Sequence, residues 1–176
     1  NNRVVTMPQL LKGAGYHTYM VGKWHLGKQP DQIPRARGFE RDFSLLDGGG
    51  SYWGDMKNVT AIAPKLVFTE DGRYLTRLPD DYYATKTYTD KMIGFIDANK
   101  ADGKPFFLWL NPTRMHIVTH LSPKYEAMRN PKNGWSIQEA GMAQLDDIVG
   151  AVMQKLKDMG VADNTIVVFT TDNGTE

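Results

Sequence analysis

One stretch limits the fold more than any other part of the chain. It is an apolar run, a capped amphipathic helix and a second apolar run, in that order. Phe106-Phe107-Leu108-Trp109-Leu110 follows Pro105 without a polar interruption, the pattern of a buried central strand. Ser136-Ile137-Gln138-Glu139 forms a capping box, in which the serine and glutamate side chains satisfy helix N-terminal amides reciprocally. The helix it opens is expected to reach about Met159, with Ala140, Ala143, Ile148, Val149, Val152 and Leu156 on its apolar side and Gly160 at the C′ position. Thr165-Ile166-Val167-Val168-Phe169-Thr170 is β-branched and reads as a second buried strand. Strand, helix and strand of these lengths make a βαβ unit, which requires parallel pairing and a right-handed crossover. The expected class is therefore α/β.

The remaining elements fit that class. Thr6, Pro8 and Gln9 mark the start of a short helix that Gly13 and Gly15 end. Residues 16–21 read as a strand rich in Tyr, Thr and Val. Residues 27–80 are loop-rich, with Pro30, Pro34, Gly38, the run Gly48-Gly49-Gly50, Gly54 and Pro64. A stretch of that length inside a domain is usually functional surface. Within it, residues 66–69 and 74–78 are expected to form a hairpin across Glu70-Asp71-Gly72. From Asp81 the apolar residues Ala84, Tyr88, Met92, Phe95 and Ile96 recur at helical spacing until Asp102-Gly103.

Composition excludes several functions. Lys plus Arg is 21 and Asp plus Glu is 20, a net charge of +1, so nothing asks for nucleic acid or an anionic membrane as partner. No apolar run approaches the ~20 residues of a membrane span, and the first residues lack the apolar region of a signal peptide. The chain has no cysteine, so these 176 residues hold no disulfide, thiolate metal ligand or cysteine nucleophile.

In open α/β sheets, sites form beyond the carboxyl ends of the strands. Three expected strands are followed by polar residues: Gly22-Lys23-Trp24-His25, Asn111-Pro112-Thr113-Arg114-Met115-His116 and Asp172-Asn173-Gly174. Cations beside a carboxylate and an amide suit an oxyanion and a hard metal ion. Each group also has a plain reading. Lys23 and His25 can be solvated loop residues, Asp172-Asn173-Gly174 can be a turn, and Arg114 can be a loop salt-bridge partner. His116 and His120 are four apart, but Val118, Thr119 and Pro123 argue against the helix that a zinc pair would need. Asn58-Val59-Thr60 matches the glycosylation triplet.

Several of these segments together resemble the type I sulfatases. Gly22-Lys23-Trp24-His25-Leu26-Gly27, preceded by residues 7–16, is similar to that family's second signature. Arg37-Gly38-Phe39-Glu40, the apolar run 106–110 followed by His116, the segment 144–150 and Phe169-Thr170-Thr171-Asp172-Asn173-Gly174 match further family segments in order. The resemblance implies an alkaline-phosphatase-like sandwich with a mostly parallel central sheet flanked by helices, incomplete in this chain. It implies hydrolysis of a sulfate ester by a formylglycine nucleophile lying outside these residues. Residues 1–176 would then be an internal part of the catalytic domain, inactive by itself. By resemblance Lys23 binds sulfate, His25 and His116 handle protons and the sulfate, and Asp172 and Asn173 bind Ca²⁺ or Mg²⁺. A sulfate ester small molecule or sulfated glycan is the implied partner, and a periplasmic, secreted or lysosomal location the implied setting. A phosphonate monoester or phosphodiester hydrolase of the same superfamily, or a non-catalytic anion- or glycan-binding module, would share many of these features.

Overall fold

The computed structural model describes residues 3–59, 63–99 and 102–174. Thr60, and with it the glycosylation triplet, lies outside them. The chain forms two compact units, Asn1–His120 and Leu121–Glu176.

The first unit is an α/β layer structure. Helix α1 (Met7–Gly13) leads into strand β1 (His17–Lys23), and β2 (Arg41–Leu45) follows after a 3₁₀ turn at Pro34–Arg37. At the start of α1 the Gln9 Oε1 accepts the Thr6 backbone N–H at 2.9 Å, as the capping reading expects. Strands β3 (Phe68–Glu70) and β4 (Arg73–Leu75) form the expected hairpin, shortened to three residues a side. Helix α2 (Ala84–Asn99) and strand β5 (Phe106–Asn111) complete the unit. The sheet order is β4-β3-β2-β1-β5, with β1 parallel to both β2 and β5, and the β2–β3 and β3–β4 pairs antiparallel.

Apolar burial holds α2 on this sheet. Tyr88, Met92 and Ile96 are wholly buried along one stripe, with Phe95 beside them. Tyr88 meets Phe43 of β2 at 6.0 Å between ring centroids, and Phe95 meets Tyr19 of β1 at 5.4 Å. Each such side chain contributes about 1.5–3 kcal/mol by leaving water. The helix begins at Ala84, three residues later than its apolar spacing suggests. Tyr83 instead bridges to Trp53 in extended backbone, and the Ala84 N–H donates to the Tyr52 carbonyl at 2.8 Å.

Strand β2 is absent from the sequence reading. It carries Asp42 and Ser44, both fully buried, where an apolar alternation would be expected. The hairpin makes this possible. The Thr69 hydroxyl and the Gly72 N–H donate to the Asp42 carboxylate at 2.7 and 2.9 Å. Burial still pushes the Asp42 carboxyl above its ordinary value, against those two hydrogen bonds.

Two further expectations are corrected. The run from Phe106 forms β5 as expected, but at the sheet edge rather than its centre, half-buried and with Trp109 43% exposed. Residues 165–170 form no strand among the described residues, and Ile166, Val168 and Phe169 are 93, 79 and 67% exposed. A strand is defined by its ladder, and this run pairs with no neighbour among the described residues. The parallel pairs of the sheet are therefore β1 with β2 and with β5, not the expected pair 106–110 with 165–170.

The second unit is helical. A short α3 (Pro123–Glu126) precedes the long α4 (Ile137–Asp158). The capping box at Ser136 is formed, with the Glu139 carboxylate accepting the Ser136 N–H at 2.8 Å. Gly160 takes the left-handed conformation (φ 69°) just past the C-cap Met159, as its residue type predicts. Lys124 and Tyr125 both reach Asp147 at 2.6 Å, tying α3 to α4. Among the described residues no helix is long and apolar enough to cross a membrane.

Candidate functional site

The parallel register brings three strand ends level. Gly22 lies opposite Ser44 on one side and Asn111 on the other, so β1, β2 and β5 stop within a residue or two of one another. Their carboxyl ends release the segments beginning at Trp24, Leu46 and Pro112. That edge is where ligands bind in open α/β sheets.

Lys23 is the last residue of β1 and half-buried. Its backbone is fixed twice: it lies opposite Leu45 in the register, and the Asn111 side-chain amide donates to its carbonyl at 2.9 Å. Gly22 before it has φ 109°, and a Cβ there would overlap the Asn111 carbonyl. Only glycine lets β1 and β5 come this close while the chain turns. Two residues later His25 adopts φ 52°, an uncommon conformation for a non-glycine residue and one found at functional turns.

The two histidines rest on neighbouring glycines. A Cβ on Gly48 would come 2.5 Å from His25 Cε1, and a Cβ on Gly49 would come 2.9 Å from His116 Cε1. Two imidazoles from different strand ends therefore lie against one short piece of backbone, the loop leaving β2. The loop is held from below by Asp47, whose buried carboxylate accepts from Lys28 and, at 2.7 Å, from the Val67 N–H. His116 is anchored through its carbonyl, which accepts from the Thr119 hydroxyl at 2.7 Å.

The structure thus places Lys23, His25 and His116 in segments at one sheet edge and brings the two imidazoles onto one glycine pair. Asp172 and Asn173 belong to the second unit, in an exposed bend after residues 165–170, where the Asn173 amide donates to the Gly174 carbonyl at 2.7 Å. His116 and His120 are not on a helix. Among the described residues no group of three or more His, Cys, Asp or Glu side chains could hold a metal ion. Asp172 and Asn173 have hard oxygen donors of the right kind, but Ca²⁺ takes about six to eight. The donor set is incomplete, and it makes no metal centre by itself.

Three contributors escape the sequence reading: Gly48 and Gly49 as rests for the imidazoles, and Asn111 as the brace on Lys23. The signal was present as a glycine triplet in a long loop, but it points to a site only once β2 is known to end in front of it.

An ammonium and two imidazoles at a sheet edge can bind an anion with several oxygens and exchange protons near neutral pH. The sequence model of the Sulfatase family matches residues 1–176. The chain is 30% identical to the arylsulfatase of Klebsiella aerogenes over 223 residues, covering 98% of this chain and 48% of that protein. It is 32% identical to the N-acetylgalactosamine-6-sulfatase of Homo sapiens over 178 residues, covering 96% of this chain and 32% of that protein. It spans about half or less of these relatives. Among solved structures, Ps i-CgsB superposes with a TM-score of 0.74 at 25% identity over 89% of this chain and 37% of that one. The same protein in complex with k-i-k-neocarrahexaose gives 0.72.

Proposed function

Because the chain belongs to the sulfatase family, with its alkaline-phosphatase-like α/β fold, we propose that it carries part of the active site of a sulfuric ester hydrolase. The observation that supports this most directly is the shared seat of His25 and His116 on Gly48 and Gly49, at the edge where Lys23 ends β1.

The chemistry follows from charge. A sulfate ester gains negative character on its non-bridging oxygens as the ester bond breaks. The Lys23 ammonium, on a backbone braced by Asn111, binds one of those oxygens and stabilises it through the reaction. The His25 imidazole accepts a proton when sulfate is expelled, and His116 contacts the sulfate or protonates the leaving alcohol; an imidazole has ring nitrogens that can accept or donate a proton and can do either. The nucleophile, a formylglycine by family resemblance, is supplied by residues other than these 176. Asp172 and Asn173 have the donor chemistry for two ligands of a divalent cation, Ca²⁺ or Mg²⁺, which would act as a Lewis acid toward sulfate. The substrate class is a sulfate ester on a small molecule or glycan, as the names of the relatives suggest.

The test is hydrolysis of paired 4-nitrophenyl sulfate and 4-nitrophenyl phosphate by the full-length protein. Sulfate ester cleavage is expected to dominate, and Lys23→Ala to lower its kcat by about 10²-fold or more, as removal of an oxyanion partner does. Preference for the phosphate ester would reassign the protein to a phosphoester hydrolase. Unchanged turnover in Lys23→Ala would remove Lys23 from the mechanism.

A further inference from the structure

Beyond the catalytic edge, the segment after β5 holds a charge with no counterion. Arg114 is 7% exposed, and no carboxylate lies within ion-pair distance of it among the described residues. Its partners are all neutral. One terminal nitrogen donates to the Tyr83 hydroxyl at 2.8 Å and to the His120 carbonyl, and the guanidinium carbon sits 4.7 Å from the centre of the Tyr52 ring. Its Nε and its other terminal nitrogen are buried without any partner. A buried guanidinium is normally paired, because taking it out of water costs several kcal/mol.

The same segment contains two more orphans. Thr113 Oγ1 and His120 Nδ1 are also buried without a hydrogen-bond partner. Four of the five such atoms among the described residues therefore fall between Thr113 and His120, the fifth being Ser44 Oγ. Native structures leave few buried polar atoms unsatisfied, so a cluster of four calls for a cause. Their chemistry is uniform. The arginine nitrogens can only donate, the threonine hydroxyl can donate, and a histidine Nδ1 donates in one tautomer. One water molecule accepts about two hydrogen bonds. An oxyanion accepts more, and it also supplies the missing negative charge.

We propose that Thr113, Arg114 and His120 form a second anion subsite, for a carboxylate or sulfate carried by the substrate next to its scissile sulfate. This deepens the sulfatase reading and rests on it for the link to substrate. Its place is fixed by the chain: Arg114 is two residues before His116, and Thr119 pins the His116 carbonyl. Residues 112–122 contain no helix or strand, so the ligand enters by movement of this loop and leaves the sheet intact. Tyr52 and Tyr83, which frame the guanidinium, come from the loop after Gly50 and the approach to α2. The subsite selects polyanionic substrates over singly charged ones.

The experiment uses the full chain, isotopically labelled, with sodium sulfate and sodium glucuronate as probes, glucose as the uncharged control and sodium chloride at matched ionic strength. The readouts are calorimetric affinity and the Arg114 Nε–H resonance. Expected are a shift of that resonance with one or both anions and none with glucose, with the stronger ligand telling sulfate from carboxylate. Arg114→Gln should weaken binding at least tenfold, and Thr113→Val, which removes only a hydroxyl, several-fold. Lys157→Ala, which changes an exposed lysine of α4, should leave it unchanged. Should Arg114→Gln fail to fold, Thr113→Val decides. Equal affinity in the folded variants, or an equal loss of binding in Lys157→Ala, would overturn the subsite. Absence of any sulfate ester hydrolysis would sink the catalytic reading while leaving this binding result in force.

Discussion

Adding a single methyl group at Gly48 or Gly49 tests the site directly. Neither glycine has the left-handed backbone that would itself penalise alanine. The cost of Gly48→Ala therefore comes from the ring it meets. Its Cβ would lie 2.5 Å from His25 Cε1, and the closest comfortable carbon–carbon approach is about 3.5 Å. The His25 ring must retreat by about 1 Å, the difference between those two distances. For Gly49→Ala the Cβ lies 2.9 Å from His116 Cε1, so that ring retreats by about 0.6 Å. Pushing a side chain roughly 30° off its rotamer costs about 0.5–1.5 kcal/mol. Each variant should therefore lose no more than about 1.5 kcal/mol of a total stability of about 5–15 kcal/mol. A displacement of about 1 Å at a reacting group can cost about 10²-fold in rate, so catalysis suffers far more than folding. The chain has four histidines, so their Cε1–H resonances are few enough to assign. Gly48→Ala should move the His25 signal and leave His17 in place, and Gly49→Ala should move His116. If both variants fold and neither imidazole signal moves, the glycine pair does not seat the histidines. A loss above about 3 kcal/mol, the scale of a severe packing defect, would show instead that these glycines serve the backbone.

Other expectations are read from stability and binding. Gly22→Ala combines left-handed strain, about 1–3 kcal/mol, with overpacking against Asn111, about 1–3 kcal/mol, and should lower the urea midpoint sharply. Gly94→Ala, exposed in α2 with nothing within 4 Å of its Cβ, should raise stability by about 0.5–1 kcal/mol; the opposite order in urea titrations would contradict the helix geometry. His17 lies 2.8 Å from both Asp102 and Glu40, and these carboxylates, Asp102 first, raise its pKa above 6.5. The folded state thus holds the proton more tightly, so this contribution is full below about pH 6.5 and is lost as pH rises through the folded value. His17→Gln should flatten the fall of stability above pH 6.5, and an unchanged pH profile would refute the ion-pair account. In the full-length protein, Asp172→Ala should weaken Ca²⁺ binding measured by calorimetry; an unaltered affinity would remove Asp172 as a ligand.

Local sequence was enough for every element whose stabilising groups are its own neighbours. The caps at Thr6 and Ser136, the glycine after α4, the helical stripe of α2 and the turn at Asp71-Gly72 are all short-range devices, and each appears where its residues specify. The identity of Lys23, His25 and His116 as candidates came the same way, from polar residues following strand-like runs. What depends on distant partners was illegible. Strand β2 hides because Asp42 and Ser44 are buried polar residues, and Asp42 is tolerated only where Thr69 and Gly72 reach it from a hairpin about thirty residues away. Residues 165–170 have every local preference for a strand, yet a strand is completed by a ladder, and none of the described residues provides one. The meeting of two imidazoles on Gly48 and Gly49 is likewise a product of the sheet. Residue type decided which groups could do chemistry, and parallel register, which no local pattern encodes, decided which of them meet.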